Sequence, residues 1–572
     1  MTIPKIKQFK YISHFLESRE RLCIKTLWLV IFLSLIFLSV RFYFIHLKLL
    51  PAKGGEYSET LVGNPKYINP VLAPANEVDL DISRLIFSGL LTRDKDQKLI
   101  PDLAEQYQMS EDQKTYTFFL RKDAKWHNGE KFSADDVIFT IETIQNNEFK
   151  SPLYSSFKGV KCEKVDDEQV KFILNEPYAP FLSLLTLGII PKHLWRDFTP
   201  TQFYLAEYNL KPIGTGPFKF KSLVKEKNGV IKTYILKRND KFYRESAFLE
   251  KFNFKFYFSY NEAIRAFKNK NANGLAAASE ALSKETFNYK NFDLHSLHLS
   301  QYSAIFFNQS NNQFLKEKNI RQALSYAIDK ERIIKEVLAE RGEIIDGPIL
   351  RGGLGYNSEI KKYRIDLDKA NQLLNDLGWI FEESTAAEQE SEGAVKFRKK
   401  GDEELKIILT TVEKEAGNKT AEIIKESWEK IGVKTELQLI PKEIILKEII
   451  KPRNYQALLY GVILGPDVDP YLLWHSSQIS EFGLNLANFS DKEADQVLED
   501  GRKIFNPDTR HLKYQHFQNI MLEQMPAIFL YSSFYNYLID KKIKGFDLEN
   551  ISLPSDRFID VEKWYIKTRR GF

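Results

Sequence analysis

The chain has 572 residues, 82 Lys+Arg against 77 Asp+Glu, and a net charge of +5. That length exceeds what one hydrophobic core supports and predicts two or three lobes. A composition 43% hydrophobic and 28% charged excludes disordered, collagen-like, disulfide-scaffold and polytopic membrane classes. The charge is also uneven. Lys5, Lys7, Lys10, Arg19, Arg21, Lys25, Arg41 and Lys48 are opposed only by Glu17 and Glu20 within the first fifty residues. That segment carries +6 and leaves the rest of the chain at −1, so the surplus predicts no nucleic-acid partner.

From Thr26 to Leu47 the chain is apolar, interrupted mainly by Ser34, Ser39, Arg41 and His46. Twenty-two residues at ~1.5 Å each reach ~33 Å, enough to cross a hydrocarbon core of ~30 Å. Six basic residues precede the run, which places residues 1–25 in the cytoplasm and the body after a 48–55 linker outside, extracellular or periplasmic. A cleaved signal peptide is the main alternative, but the exit Phe42-Tyr43-Phe44-Ile45-His46 has no small-residue site. A lipoprotein needs a Cys after the run, and Cys23 lies before it. The expectation is a retained single-pass anchor at 26–47. Cys23 and Cys162 would then lie on opposite sides of the membrane, leaving the ectodomain without internal disulfides.

Along the body, residues 51–80 are turn-rich. Tyr116–Leu120 is aromatic and predicts a strand, with Asn128-Gly129 as a turn beyond it. Ser133 begins a helix, with Asp136 completing an acidic capping box. Leu236–Phe258 predicts sheet, and the apolar spacing over Ile320–Leu338 predicts an amphipathic helix. A second helix over Leu367–Leu377 is stopped by Gly378. Residues 381–404 have almost no core side chains and predict an exposed loop. Leu405–Thr411 predicts a strand and Lys419–Ile431 a helix stopped by Gly432. Strands alternating with helices predict α/β lobes.

Chemistry-bearing motifs are sparse. There is no Gly-rich phosphate loop of the Lys-Ser/Thr type, no His-Glu-x-x-His helix and no zinc spacing among nine His and two Cys. His295 and His298 are three apart in a strand-like setting and predict surface side chains. Ser155–Lys158 and Ser222–Lys225 match the Ser-x-x-Lys pattern of cell-wall transpeptidases, but the companion Lys-Thr-Gly is absent. No catalytic residue, metal or cofactor is expected.

Ordered segments carry a resemblance: Phe87–Leu91, Pro101–Glu105, Leu120–Glu130 with Trp126-His127-Asn128-Gly129, and Phe132–Val137. Gly214-Thr215-Gly216-Pro217-Phe218, Arg321–Asp329, Asp467–Pro470 and Met525–Tyr531 follow in the same order. Together they resemble the bacterial extracellular solute-binding protein family 5, the oligopeptide-, dipeptide- and nickel-binding components of ABC importers. The residues themselves predict tight turns at Gly214 and Gly216 and core packing at Trp126.

The resemblance implies an α/β, periplasmic-binding-protein-like fold of type II, cluster C, with two α/β lobes plus an inserted lobe. Lobe I would comprise 56–88, 206–300 and 515–572; lobe II 89–205; lobe III 301–514. Ligand would lie between lobes I and III, with Asp467 meeting the free amine of a peptide. An Asp there can equally cap a turn. Here Gly461–Pro466 stands where peptide binders often carry a Trp, and Asn273 ends a changed Gly-x-x-Asp. Tyr67, Asn69, Asn308, Gly465, Trp474 and Tyr531 complete the ligand-binding candidates. The expected partners are a peptide-like ligand, ABC permease subunits and the membrane, around a monomeric ectodomain. An anchored peptide receptor or chaperone-like module without transport stays open, as does, less favoured, an anchored cell-wall hydrolase or transpeptidase.

Overall fold

The computed structural model describes residues 17–46, 48–277, 290–381, 396–465, 469–481 and 483–571. The first described element is a helix over Ser18–His46. It starts eight residues before the apolar run, because Ser18–Lys25 has good helix formers and no breaker. Its described apolar side chains are exposed: no described residue covers Leu27, Trp28 or Phe37.

Three large sheets organise the body. The first has eight strands, with Glu56–Val62, Lys251–Tyr257 and Gly274–Ala277 at its centre. The second has four antiparallel strands, including Thr115–Leu120 and Gln169–Ile173. The third has six, running from Gly342–Ile344 through Ala527–Ser533, Gln301–Phe307, Ala457–Ile463 and Lys406–Val412 to Lys434–Ile440. In Gln301–Phe307 the two-residue period sends Tyr302, Ala304 and Phe306 to one buried cluster and Ile305 and Phe307 to another. The third sheet is therefore buried on both faces.

Several local expectations stand. The helix Ala134–Gln145 follows Ser133, whose backbone N–H is accepted by Asp136 at 3.0 Å. Gly432 ends the Glu415–Glu429 region at φ 79°, a conformation suited to glycine. Others change. Ile320–Leu338 is two helices, Lys318–Ala327 and Lys330–Glu336, because Asp329 caps the second by accepting the Arg332 N–H. Leu236–Phe258 is not continuous sheet: strands Ile231–Arg238 and Lys251–Tyr257 flank an irregular stretch. In the expected loop 381–404, residues 382–395 lie outside the described residues, but Arg398–Lys400 and Glu403–Glu404 are strands. Arg398 is 1% exposed there, donating to the carbonyls of Ile431 and Trp379 and to the side chains of Asn371 and Asn375. A charge run hid a buried anchor.

Sheet membership also shifts one expected boundary. The family resemblance implies residues 515–572 in lobe I, yet Ala527–Ser533 pairs with Gln301–Phe307 in the six-stranded sheet. The chain returns to the eight-stranded sheet only with Tyr535–Asp540.

Candidate functional site

The first and second sheets form one body. A single buried cluster runs from Tyr57 and Phe252 of the first, with Trp564 beside them, to Phe118 and Phe172 of the second, with Trp126 beside them. The seam is held by backbone bonds: Ile189 N–H to Ser88 O (2.9 Å), Leu103 N–H to Gly89 O (3.0 Å) and Gly216 N–H to Ile86 O (2.8 Å). At its centre His127 accepts the Gly214 N–H at Nδ1 (3.2 Å), and its Nε2 lies 3.1 Å from the Gly216 carbonyl, which it meets as donor in the neutral ring. Burial, with a smaller push from the Lys219 charge and against the pull of the Gly216 carbonyl, lowers the His127 pKa to about 4. The approach is close enough to require glycine, since a Cβ at Gly214 would sit 2.0 Å from Ile86 O. Trp126 packs beside it and donates from Nε1 to Asp136 (3.3 Å). The two most recognisable sequence segments thus meet each other, and their role is to join lobes.

A second buried lock ties the C-terminal segment into this body. Arg557, 0% exposed, donates to both oxygens of Asp81 (2.8 and 2.6 Å) and to Glu59 (3.2 Å). Tyr57 and Tyr537 donate to the other Glu59 oxygen at 2.6 and 2.8 Å. Burial raises the pKa of Glu59 and Asp81 against the pull of the single guanidinium.

The six-stranded lobe has buried clusters of its own and joins the body differently. Phe292–Leu299 passes into Gln301–Phe307 through Ser300 alone, and Ala527–Ser533 into Tyr535–Asp540 through Phe534 alone. The two crossovers are side by side: Gln301 donates to the carbonyl and hydroxyl of Ser533, both at 3.0 Å. His298 bridges them to Glu343 at 3.3 Å, a contact that raises its pKa. This is the geometry of a hinge.

The lobes meet again at a separate place. Ala179 N–H donates to Arg502 O (2.8 Å), and Lys503 pairs with Glu176 at 3.0 Å. The Arg502 guanidinium lies between the rings of Tyr178 and Tyr471, 4.8 and 4.0 Å from their centroids, and pairs with Asp469 at 2.8 Å. Burial opposes its charge, but Asp469 and the two tyrosines raise its pKa overall. After Ala457–Ile463 the described residues Leu464 and Asp469 stand at the two attachments. Leu464 N–H donates to Ser300 O at the hinge (2.8 Å), and Asp469 ends at Arg502.

The expected site residues separate on this frame. Gly465 lies in the connecting segment at φ 75°, with open space where a Cβ would stand. Asp467 falls in the same segment but outside the described residues. Tyr67 follows the central strand Glu56–Val62 and is half-buried, edge-on to Tyr204 with centroids 5.4 Å apart. Asn69 is fully buried; its side-chain oxygen takes the Val71 N–H, while its Nδ2 has no partner among the described residues. Three candidates sit inside the third lobe. Asn308 is spent on Arg453 O, Ser310 N–H and Asn488. Trp474 is 0% exposed between Phe306 and Phe529, and Tyr531 belongs to the core with its hydroxyl 3.5 Å from Thr420. Asp469, Arg502 and Tyr178 were missed, because a Lys/Arg pair at a helix end looks solvated in sequence.

A cavity of about 390 Å³ lies in the seam between the first two lobes, lined by Phe87, Leu184 and Val561 among others. None of its lining residues belongs to the hinge crossovers. Of its four lining acids, Asp102 and Glu562 face Arg244, at 3.6 and 3.5 Å. We assign it to packing and take the space between hinge and second contact as the candidate site.

Two lobes fused over one core, with a third hung on paired crossovers, define a solute-binding protein of the periplasmic type, which binds and does not catalyse. The family model for bacterial extracellular solute-binding proteins, family 5 Middle, matches residues 98–481, and the chain belongs to that family. Oligopeptide-binding protein AppA of Bacillus subtilis is 27% identical over 529 residues, covering 90% of this chain and 92% of that protein. Its solved structure with a nonapeptide superposes with a TM-score of 0.71 at 26% identity, covering 90% of this chain and all of that one. Campylobacter jejuni NikZ in complex with Ni(L-His) gives a TM-score of 0.73 at 28% identity, covering 89% and 99%.

Proposed function

We propose that this protein is a membrane-anchored, extracytoplasmic binding protein that captures oligopeptide-like solutes between its hinged lobes and presents them to an ABC permease. The observation that carries this reading is the 464–469 segment, tied at one end to the hinge through Ser300 and at the other to Arg502. A ligand held by that segment touches the two places that change when the lobes move. Differential contact with open and closed states is what lets a ligand shift the equilibrium. Relatives named for oligopeptide binding and for a nickel chelate both span nearly the whole chain, so the choice of a peptide rests on the segment's own chemistry. Asp467 within the segment supplies a carboxylate for a free amine, and the partly exposed ring of Tyr67 a stacking surface. Lobe boundaries near 88, 205, 300 and 533 belong to the same reading. The exposed Ser18–His46 helix supports retention in the membrane, with the N-terminus inside.

Native mass spectrometry of the full chain, released from detergent micelles, tests the ligand. Co-purified peptides, displaced by a defined peptide library without turnover, are expected. A bound sugar or metal chelate would overturn the assignment.

A further inference from the structure

The anchor helix does not feed directly into the main sheets. One residue after His46, Lys48–Ala52 forms an antiparallel ribbon with Lys567–Gly571, separate from every other sheet. The register sets Leu49 opposite Arg570, Leu50 opposite Arg569 and Ala52 opposite Lys567. Residues 48–53 and 566–571 contain no Asp or Glu, and Lys48, Lys567, Arg569 and Arg570 are exposed. Among the described residues, no salt bridge involves Lys48, Lys567 or Arg569. Leu49 stands 66% exposed beside Arg570. Cross-strand partners share a face, so each face of the ribbon mixes leucine with basic side chains.

We propose that this ribbon lies on the outer surface of the membrane and binds the headgroups of anionic phospholipids. The proposal rests on the anchored reading. Position argues for lipid: two residues of extended chain reach about 7 Å, so Lys48 cannot leave the vicinity of the helix end. Chemistry argues the same way, since long basic side chains with adjacent leucines suit an interface that is phosphate above and hydrocarbon below. The C-terminal strand arrives from the far end of the sequence and adds three cations to the one beside the helix. The ribbon thereby holds the two-lobe body against the membrane and leaves the third lobe as the part that moves.

The test reconstitutes the full chain in nanodiscs of phosphatidylcholine, with and without phosphatidylglycerol, and follows hydrogen exchange of ribbon amides. Slower exchange in the anionic discs, abolished by raised salt and by the triple variant Lys567→Gln/Arg569→Gln/Arg570→Gln, is expected. Equal exchange in both discs overturns the proposal. Protection that appears only on adding permease, whatever the lipid, overturns it in favour of a protein contact. A chain that elutes free of discs instead refutes the anchor, and the ribbon proposal falls with it.

Discussion

The eight-stranded lobe has two neighbours and treats them differently. Toward the four-stranded lobe it shares a continuous core, a histidine clamp and glycines with no room for a methyl group. Toward the six-stranded lobe it offers two single-residue crossovers and a half-exposed His298–Glu343 pair. One junction is a weld and the other a hinge. Rigidity and motion are thus assigned by whether hydrophobic burial crosses the junction, because packed cores do not deform continuously.

The weld is broken most strongly at Gly214. Gly214→Ala drives a Cβ to 2.0 Å from a backbone oxygen, which no side-chain rotation relieves. A loss of about 3 kcal/mol or more is expected in a denaturant melt. An unchanged midpoint would mean the seam can yield.

His127 gives the weld a pH signature. Its folded pKa, about 4, lies below the ordinary value of 6.5, so the unfolded chain takes up a proton first. Its contribution is complete above pH 6.5 and is lost as pH falls toward 4. Between pH 7 and 5 the wild type should lose at most about 2 kcal/mol more than His127→Gln, which lacks the titrating ring. Buried Glu59 and Asp81, with raised pKa values, act in the opposite sense in both proteins and cancel from that difference. Parallel pH profiles of the two proteins would remove His127 from the weld.

The smallest effect belongs to the hinged side. Arg502→Ala removes the cation between Tyr178 and Tyr471 and the partner of Asp469. A shift of about 1 kcal/mol toward the open form is expected, visible as a larger radius of gyration without ligand and as weaker binding, at unchanged melting temperature. A fall in melting temperature instead would place Arg502 in the weld.

Much of this comparison was legible in sequence as elements and little of it as junctions. The capping box at Ser133, the strand at Thr115–Leu120 and the helix before Gly432 follow from short-range periodicity and turn chemistry. His127 and Gly214 are 87 residues apart, and nothing local in either segment points to the other. The same limit explains the buried candidates. Trp474, Asn308 and Tyr531 are residues that line a groove or fill a core equally well, and only the partners Phe306, Arg453 and Thr420 decide. Arg398 shows the converse: a charge run looked solvated until four acceptors converged on one guanidinium.

The return of the chain at Phe534 also sets an order of assembly. Tyr535–Asp540 lies between Gly274–Ala277 and Phe292–Leu299, so the eight-stranded sheet stays split until these late residues have been synthesised. Nearly the whole six-stranded lobe, the strand Ala527–Ser533 included, is made before that closure. Among the described residues the pairing most distant in sequence is Lys48 with Gly571. Such long-range closure is slow and leaves strand edges open meanwhile, so the pairing most distant in sequence is the one most exposed to misassembly.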